Sequence, residues 1–248
     1  MTVVLVHGNP ETAAIWGPLI TELGRDDVVC LSPPGFGAPL PDDFPATHVA
    51  YRDWLTAELA DFAEPIDLVG HDWGGAHVMT TVMAQPELVH SWVSDVVGLF
   101  DADYVWHDLA QVWQTPGAGE ELVETMSAGT VPERAETLSA LGIPLDVATE
   151  LAAAAGPEMN RAILTLYRSA AQPVVSELGR DLERAAARPG LAVLATEDTY
   201  VGTDEMRRRA AGRAGARVEV LDGLGHWWML QDPARGAAML TRFWGSLA

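Results

Sequence analysis

The run Val69-Gly70-His71-Asp72-Trp73-Gly74-Gly75 constrains this chain more than any other segment. A short apolar stretch, Ile66 to Val69, leads into it, and a helical pattern from Gly74 to Gln85 leaves it before Pro86. Glycines on both sides of the turn suit a strand that reverses tightly into a helix, where side chains have no room. Asp72 is then held up between the strand's end and a helix N-terminus, which favours an anion. Such a turn requires a sheet with helices against it.

The rest of the chain supplies that sheet. Val3 to Val6, Val28 to Leu31, Trp92 to Val97, Leu191 to Ala195 and Val218 to Leu221 are further short apolar runs. Helical patterns lie between them: Ile15 to Leu23, a segment with apolar positions at Val49, Trp54, Leu55, Leu59 and Phe62, Asp204 to Ala211, and Pro233 to Leu247. Alternating strands and helices predict an α/β fold, a parallel sheet covered on both faces. The rhythm breaks from Asp101 to about Pro189, which reads as helical with proline and glycine interruptions. The expected organisation is a core built from residues 1–100 and 190–248, with residues 101–189 inserted as a helical cap over a site.

Composition removes several function classes. Thirty-five acidic residues against 15 basic give a formal charge of -20. That field repels phosphate backbones and anionic lipid, so neither nucleic acid nor a membrane surface is an expected partner. All the basic residues are arginine. Lysine Schiff-base chemistry and a P-loop lysine are therefore excluded. Cys30 is the only cysteine, so no internal disulfide or cysteine zinc site can form. No apolar stretch reaches the roughly 18–20 residues of a spanning helix. The N-terminus has no basic region followed by a longer apolar run, and the expected address is cytoplasmic. No Gly-x-Gly-x-x-Gly follows a strand, and His71 with His77 makes no convincing metal pair, so no cofactor and no metal are expected.

Asp72 occupies the serine position of a nucleophile elbow, Gly-x-Ser-x-Gly. Asp198, in Thr196-Glu197-Asp198-Thr199, and His226, in Gly223-Leu224-Gly225-His226-Trp227-Trp228, follow the last two predicted strands. Open α/β sheets place ligands at those strand ends. The order Asp72, Asp198, His226 is nucleophile, acid, base, with Asp101 and Asp103 as reserve candidates for the acid. His7-Gly8-Asn9-Pro10 follows the first strand, where a second oxyanion donor would come from. Aspartate as nucleophile implies displacement at saturated carbon. It leaves an alkyl ester, whose carbonyl a histidine-activated water can attack, whereas serine would leave an ether.

These motifs resemble, over essentially the whole length, the α/β-hydrolase fold and its aspartate-nucleophile branch, the epoxide hydrolases and haloalkane dehalogenases. The resemblance implies a mostly parallel sheet of about six strands with an inserted helical cap, lacking the first two strands of the usual fold. Val105-Trp106-His107 and Leu166-Tyr167-Arg168 look like the histidine/tyrosine pair with which some epoxide hydrolases protonate the opening ring. Leu109 stands where the first of two tyrosines would be in others. Asn9 and Trp73 match the pair that binds halide in one dehalogenase group. Glu11, the Gly225-His226-Trp227 context and the position of Asp198 look more like epoxide hydrolases. Epoxide hydrolysis is the preferred expectation, haloalkane dehalogenation the alternative. A catalytically silent binding protein and an esterase or lactonase are more distant ones. Tryptophans 73, 106, 113, 227 and 228 suggest an aromatic pocket for a small neutral apolar substrate, with water as the second reactant.

Overall fold

The computed structural model describes residues 1–247. Six strands, β1 (Val3–Val6), β2 (Val28–Leu31), β3 (Ile66–Gly70), β4 (Val89–Ser94), β5 (Gly190–Ala195) and β6 (Arg217–Leu221), form one sheet in the order β2-β1-β3-β4-β5-β6. Every neighbouring pair is parallel. The strand alternation divides the core between the two faces. Val4, Val6, Leu68 and Leu194 pack with α2 (His48–Ala60) and α3 (Trp73–Ala84). Val3, Leu5, Val69 and Val193 turn the other way, toward α1 (Gly17–Leu23) and the C-terminal helix (Pro233–Gly245).

Between β4 and β5 lie α4 (Asp108–Gln114), α5 (Ala118–Ser127), α6 (Val131–Ala140), α7 (Leu145–Ala154), α8 (Pro157–Ser169) and α9 (Val174–Leu178). The prolines and glycines of this stretch stand where they separate one helix from the next. Gly117 and Gly142 have positive φ, and Pro157 opens α8. After β5 come α10 (Asp204–Arg213), then β6, α11 (Trp228–Gln231) and α12, the C-terminal helix. No helix among the described residues is long and apolar enough to cross a membrane.

Two expected elements differ in detail. The fourth strand runs Val89–Ser94 and not Trp92 to Val97, because Ser94 Oγ accepts the Val96 N–H at 3.3 Å and turns the chain out of the ladder. Val97–Phe100 is then a short 3-10 helix. The first helical segment also begins as a 3-10 turn, Ala13–Trp16, capped by Thr12 Oγ1.

The register positions the site. Val6 pairs with Gly70, and Gly70 with Ser94. The loops that leave β1, β3 and β4 therefore emerge side by side at one sheet edge, and those of β5 and β6 continue the row.

Candidate active site

Asp72 sits at φ +50°, ψ -131°, outside the regions that ordinary residues occupy. A non-glycine residue at positive φ is held only where its surroundings over-determine it. Here they do. Its N–H donates to Asp95 Oδ1 at 3.1 Å, and its Oδ1 accepts the backbone N–H of Asn9 at 2.9 Å. Neighbouring glycines are required by space. A Cβ on Gly8 would lie 2.1 Å from Asp72 Oδ1, and one on Gly74 would lie 2.2 Å from the Val6 carbonyl.

His226, on the loop after β6, brings Nε2 to 3.7 Å from Asp72 Oδ2. Its Nδ1 is 2.9 Å from Asp198 Oδ2. Asp198 Oδ1 accepts the Tyr200 N–H at 2.9 Å, which orients the carboxylate. Behind it the buried guanidinium of Arg207 donates to the carbonyls of Asp198, Ala195 (2.8 Å) and Gly202 (3.1 Å). The structure thus brings Asp72, His226 and Asp198 together. Asp101 and Asp103, the reserve candidates, lie elsewhere: Arg209 takes both Asp101 oxygens at 2.7 and 2.6 Å, and Asp103 Oδ2 at 2.6 Å.

The electrostatics suit a carboxylate that reacts. Burial pushes the Asp72 carboxyl up to about 6, against the pull of His226. Burial also opposes the His226 cation, but the Asp198 carboxylate offsets it and the histidine titrates above its ordinary value. Asp198 is held low by His226 in spite of its burial. A carboxyl raised by burial beside a histidine raised by a carboxylate partner is the kind of paired perturbation that marks acid–base chemistry.

A second charged group lies beneath the elbow. His71 is fully buried between two carboxylates, with Nδ1 2.5 Å from Asp95 Oδ2 and Nε2 3.2 Å from Glu11 Oε1. Glu11 also accepts the Gly8 N–H at 3.1 Å and the Trp227 indole N–H at 2.6 Å. Asp95 accepts the Trp228 indole N–H at 2.8 Å. These two carboxylates tie together the loops after β1, β3 and β6. Asp95 lies inside the run Trp92 to Val97 expected as a strand, and it reaches the site edge only because that strand ends at Ser94. Glu11, His71 and His226 have ligand atoms within 4.8 Å of one another, the spacing of a metal cluster. Both His71 nitrogens face carboxylates, however, and a doubly protonated ring has no lone pair for a metal. His77 is buried, pushed down to about 3 by that burial, and stacks on Tyr51 at 5.0 Å.

From the helical insertion, His107 and Tyr167 both approach, their rings 6.3 Å apart. His107 caps α4: its Nδ1 accepts the Ala110 N–H at 3.2 Å. Burial pushes it down to about 4, so near neutrality the ring is uncharged and its hydrogen sits on Nε2. Tyr167 is buried, which raises its phenol well above the ordinary value. Its ring packs edge-on to Trp73 at 5.4 Å and tilted to Trp113 at 4.7 Å. Trp73, Trp106 and Tyr167 form one aromatic cluster, while Trp227 and Trp228 serve instead as donors to Glu11 and Asp95. Both amide atoms of Asn9 are buried with no partner among the described residues. Tyr200 carries no motif in the sequence, yet its ring stands between His107 (4.9 Å) and His226 (5.0 Å).

Residues 3–239 match the model of the alpha/beta hydrolase family. The chain belongs to that family. Among curated relatives, this hydrolase is 34% identical over 85 residues to a cis-3-alkyl-4-alkyloxetan-2-one decarboxylase of Xanthomonas campestris, covering 29% of this chain and 28% of that protein. It is 31% identical over 93 residues to epoxide hydrolase 4 of Mus musculus, covering 35% and 25%. The matches thus span about a quarter of the length of those relatives. A haloalkane dehalogenase loop variant from Bradyrhizobium elkanii superposes with TM-score 0.71 at 17% identity, over 100% of this chain and 91% of that one. A variant of the meta-cleavage product hydrolase from Pseudomonas fluorescens gives 0.74 at 17%, over 100% and 92%. At such identities the hydrolase shares their fold.

Proposed function

We propose that this hydrolase acts at saturated carbon through a covalent alkyl ester on Asp72, and that it opens epoxides to vicinal diols. The observation that carries the first part is the placement of a carboxylate, not a hydroxyl, at a strained elbow beside His226 with Asp198 behind it. An Asp72 oxygen bonds to one epoxide carbon while the carbon–oxygen bond of the ring breaks. The electron pair goes to the ring oxygen, which takes a proton from Tyr167 or a hydrogen bond from the Nε2–H of His107. His226 then removes a proton from water as the water oxygen attacks the ester carbonyl, and the Asn9 N–H stabilises the oxyanion. Collapse of the oxyanion breaks the bond to the alkyl oxygen, which takes the proton from His226 and leaves as the diol. The proton of the regenerated Asp72 carboxyl restores the Tyr167 phenol. Asp198 orients His226 and stabilises its cation. Two uncharged donors reaching in from the helical insertion favour the epoxide, whose oxygen must be protonated.

One observation favours haloalkanes as a second reading. The unpartnered Asn9 amide beside the nucleophile, with Trp73 following it, suits a departing halide.

The test is the intact mass of His226→Gln after exposure to a terminal epoxide and, separately, to a bromoalkane. Without its base the protein should accumulate the ester. A gain of the whole epoxide supports the first reading, and a gain of alkyl without bromine supports the second. No adduct with either would remove the Asp72 mechanism.

A further inference from the structure

A chamber of about 490 Å³ opens inside the helical insertion, among α5, α6, α7 and α8. Val123, Leu138, Leu151, Met159 and Ile163 give it apolar walls. The polar groups around it are already engaged. Arg134 donates to the carbonyls of Ser127, Gly129 and Ala152, Asn160 donates to Ser127 Oγ at 2.8 Å, and Glu133 caps α6. The Arg134 guanidinium, the one cation of the wall among the described residues, is thus occupied by the protein's own carbonyls.

Two residues of the chamber wall lead independently toward the reacting groups. Pro10 lines it, and the preceding residue, Asn9, holds Asp72 Oδ1 through its N–H. Leu141, 58% exposed, lines it too, and also lines the cleft that contains Asp198 and His226. Met126, another exposed apolar residue, belongs to the same wall. Trp73, Trp106 and Tyr167, by contrast, pack on one another and leave little of themselves exposed.

We propose that this chamber holds the hydrocarbon tail of the substrate, so that the hydrolase takes uncharged compounds with a linear aliphatic chain whose reactive carbon lies past Pro10 at Asp72. This rests on the reading of Asp72 as nucleophile and names the substrate class for it. An apolar cavity of about 150 Å³ accommodates benzene, so the chamber has room for roughly twenty non-hydrogen atoms. The reacting end is expected to be uncharged, because the four carboxylates Glu11, Asp72, Asp95 and Asp198 outnumber the two histidines, His71 and His226, set among them.

The test pairs binding with reaction across one homologous series. Terminal vicinal diols from butane- to tetradecanediol are titrated calorimetrically, and the matching epoxides are used as substrates. Diol affinity should rise about three- to fourfold per methylene, then level off when the chamber is full. Ala155→Trp, at a half-buried position in the wall, should bring the plateau to shorter chains, and Met159→Ala should extend it. Affinity that ignores chain length, or a plateau that neither substitution moves, would overturn the proposal. So would decanoate binding as tightly as decanediol. Length-dependent diol binding without any ester on Asp72 would keep the chamber and remove the nucleophile reading. An ester that forms equally fast from butene and dodecene oxides would do the reverse.

Discussion

The rings of His71 and His226 lie 4.5 Å apart, centroid to centroid, although the surroundings of each favour its cation. His71 is the stronger case. It is fully buried and burial opposes its charge, yet Asp95 and Glu11 hold it well above the ordinary value. A fixed cation there resists protonation of His226 and favours the anion of Asp72.

Replacing His71 by Gln therefore tests charge against mere packing. Both Asp72 and His226 should then hold their protons to higher pH. The acidic limb of ester formation should move up by on the order of one to two pH units, from unit charges about 5 Å apart at an intermediate dielectric. Stability should fall by about 3–5 kcal/mol, because two buried carboxylates lose their partner. Rapid-quench mass spectrometry across pH, with urea unfolding alongside, measures both. A slower reaction whose limb stays in place would reduce His71 to a packing role.

Asp72 itself should weaken the fold. Its carboxyl is pushed from 3.8 to about 6 in the folded protein, chiefly by burial. A raised acid contributes stability that is present below about pH 4 and is lost as pH rises through 6. Above pH 7 the ionised group costs about 2–3 kcal/mol relative to a neutral one. Asp72→Asn should thus unfold at higher urea than the parent protein at pH 8, and the two should converge near pH 4. Equal midpoints at pH 8 would show that the carboxylate is not held at a cost.

The parts of this site that the sequence reveals are those set by local backbone rules. Gly70 and Gly74 mark the elbow because a Cβ at either would strike backbone, and Asp198 and His226 follow recognisable strands. The six-stranded parallel sheet is legible for the same reason: its strands are short apolar runs separated by helical periodicity. What escapes are residues whose roles depend on contacts across the fold. Asp95 reads as part of the apolar run Trp92 to Val97 until β4 is seen to end at Ser94 beside β3. Tyr200 acquires a place only when His107 folds over it from the insertion. Arg207 looks like part of a charged helix face, yet it is buried beneath the Asp198 loop.

Gly8 offers a clean steric probe of the position of Asp72. A methyl group at residue 8 would lie 2.1 Å from Asp72 Oδ1, inside any permissible contact. Relief requires the carboxylate to move by about 1 Å, a displacement that can cost on the order of 100-fold in rate. The Gly8→Ala variant should keep its circular dichroism spectrum and lose about 1–3 kcal/mol to overpacking. Its rate of ester formation should fall by that larger factor. Undiminished ester formation would mean that Asp72 reacts from a position other than the one it occupies here.

The donors reaching in from the insertion should separate the two leaving groups. Tyr167 and His107 are both uncharged near neutrality and carry a hydrogen each, on the phenol oxygen and on Nε2. A departing alkoxide needs that hydrogen, whereas bromide leaves as a stable anion. Tyr167→Phe should slow ester formation from a terminal epoxide by about 100-fold or more, the usual contribution of a positioned acid. His107→Gln should do so less severely, since an amide still donates. With a bromoalkane both variants should react at close to the parent rate, while Asn9→Ala, which removes the unpartnered buried amide, should slow bromoalkane and not epoxide. Single-turnover rates for the three variants with both compounds measure the contrast. Equal losses on the two substrates would deny Tyr167 and His107 any part in protonating the leaving oxygen.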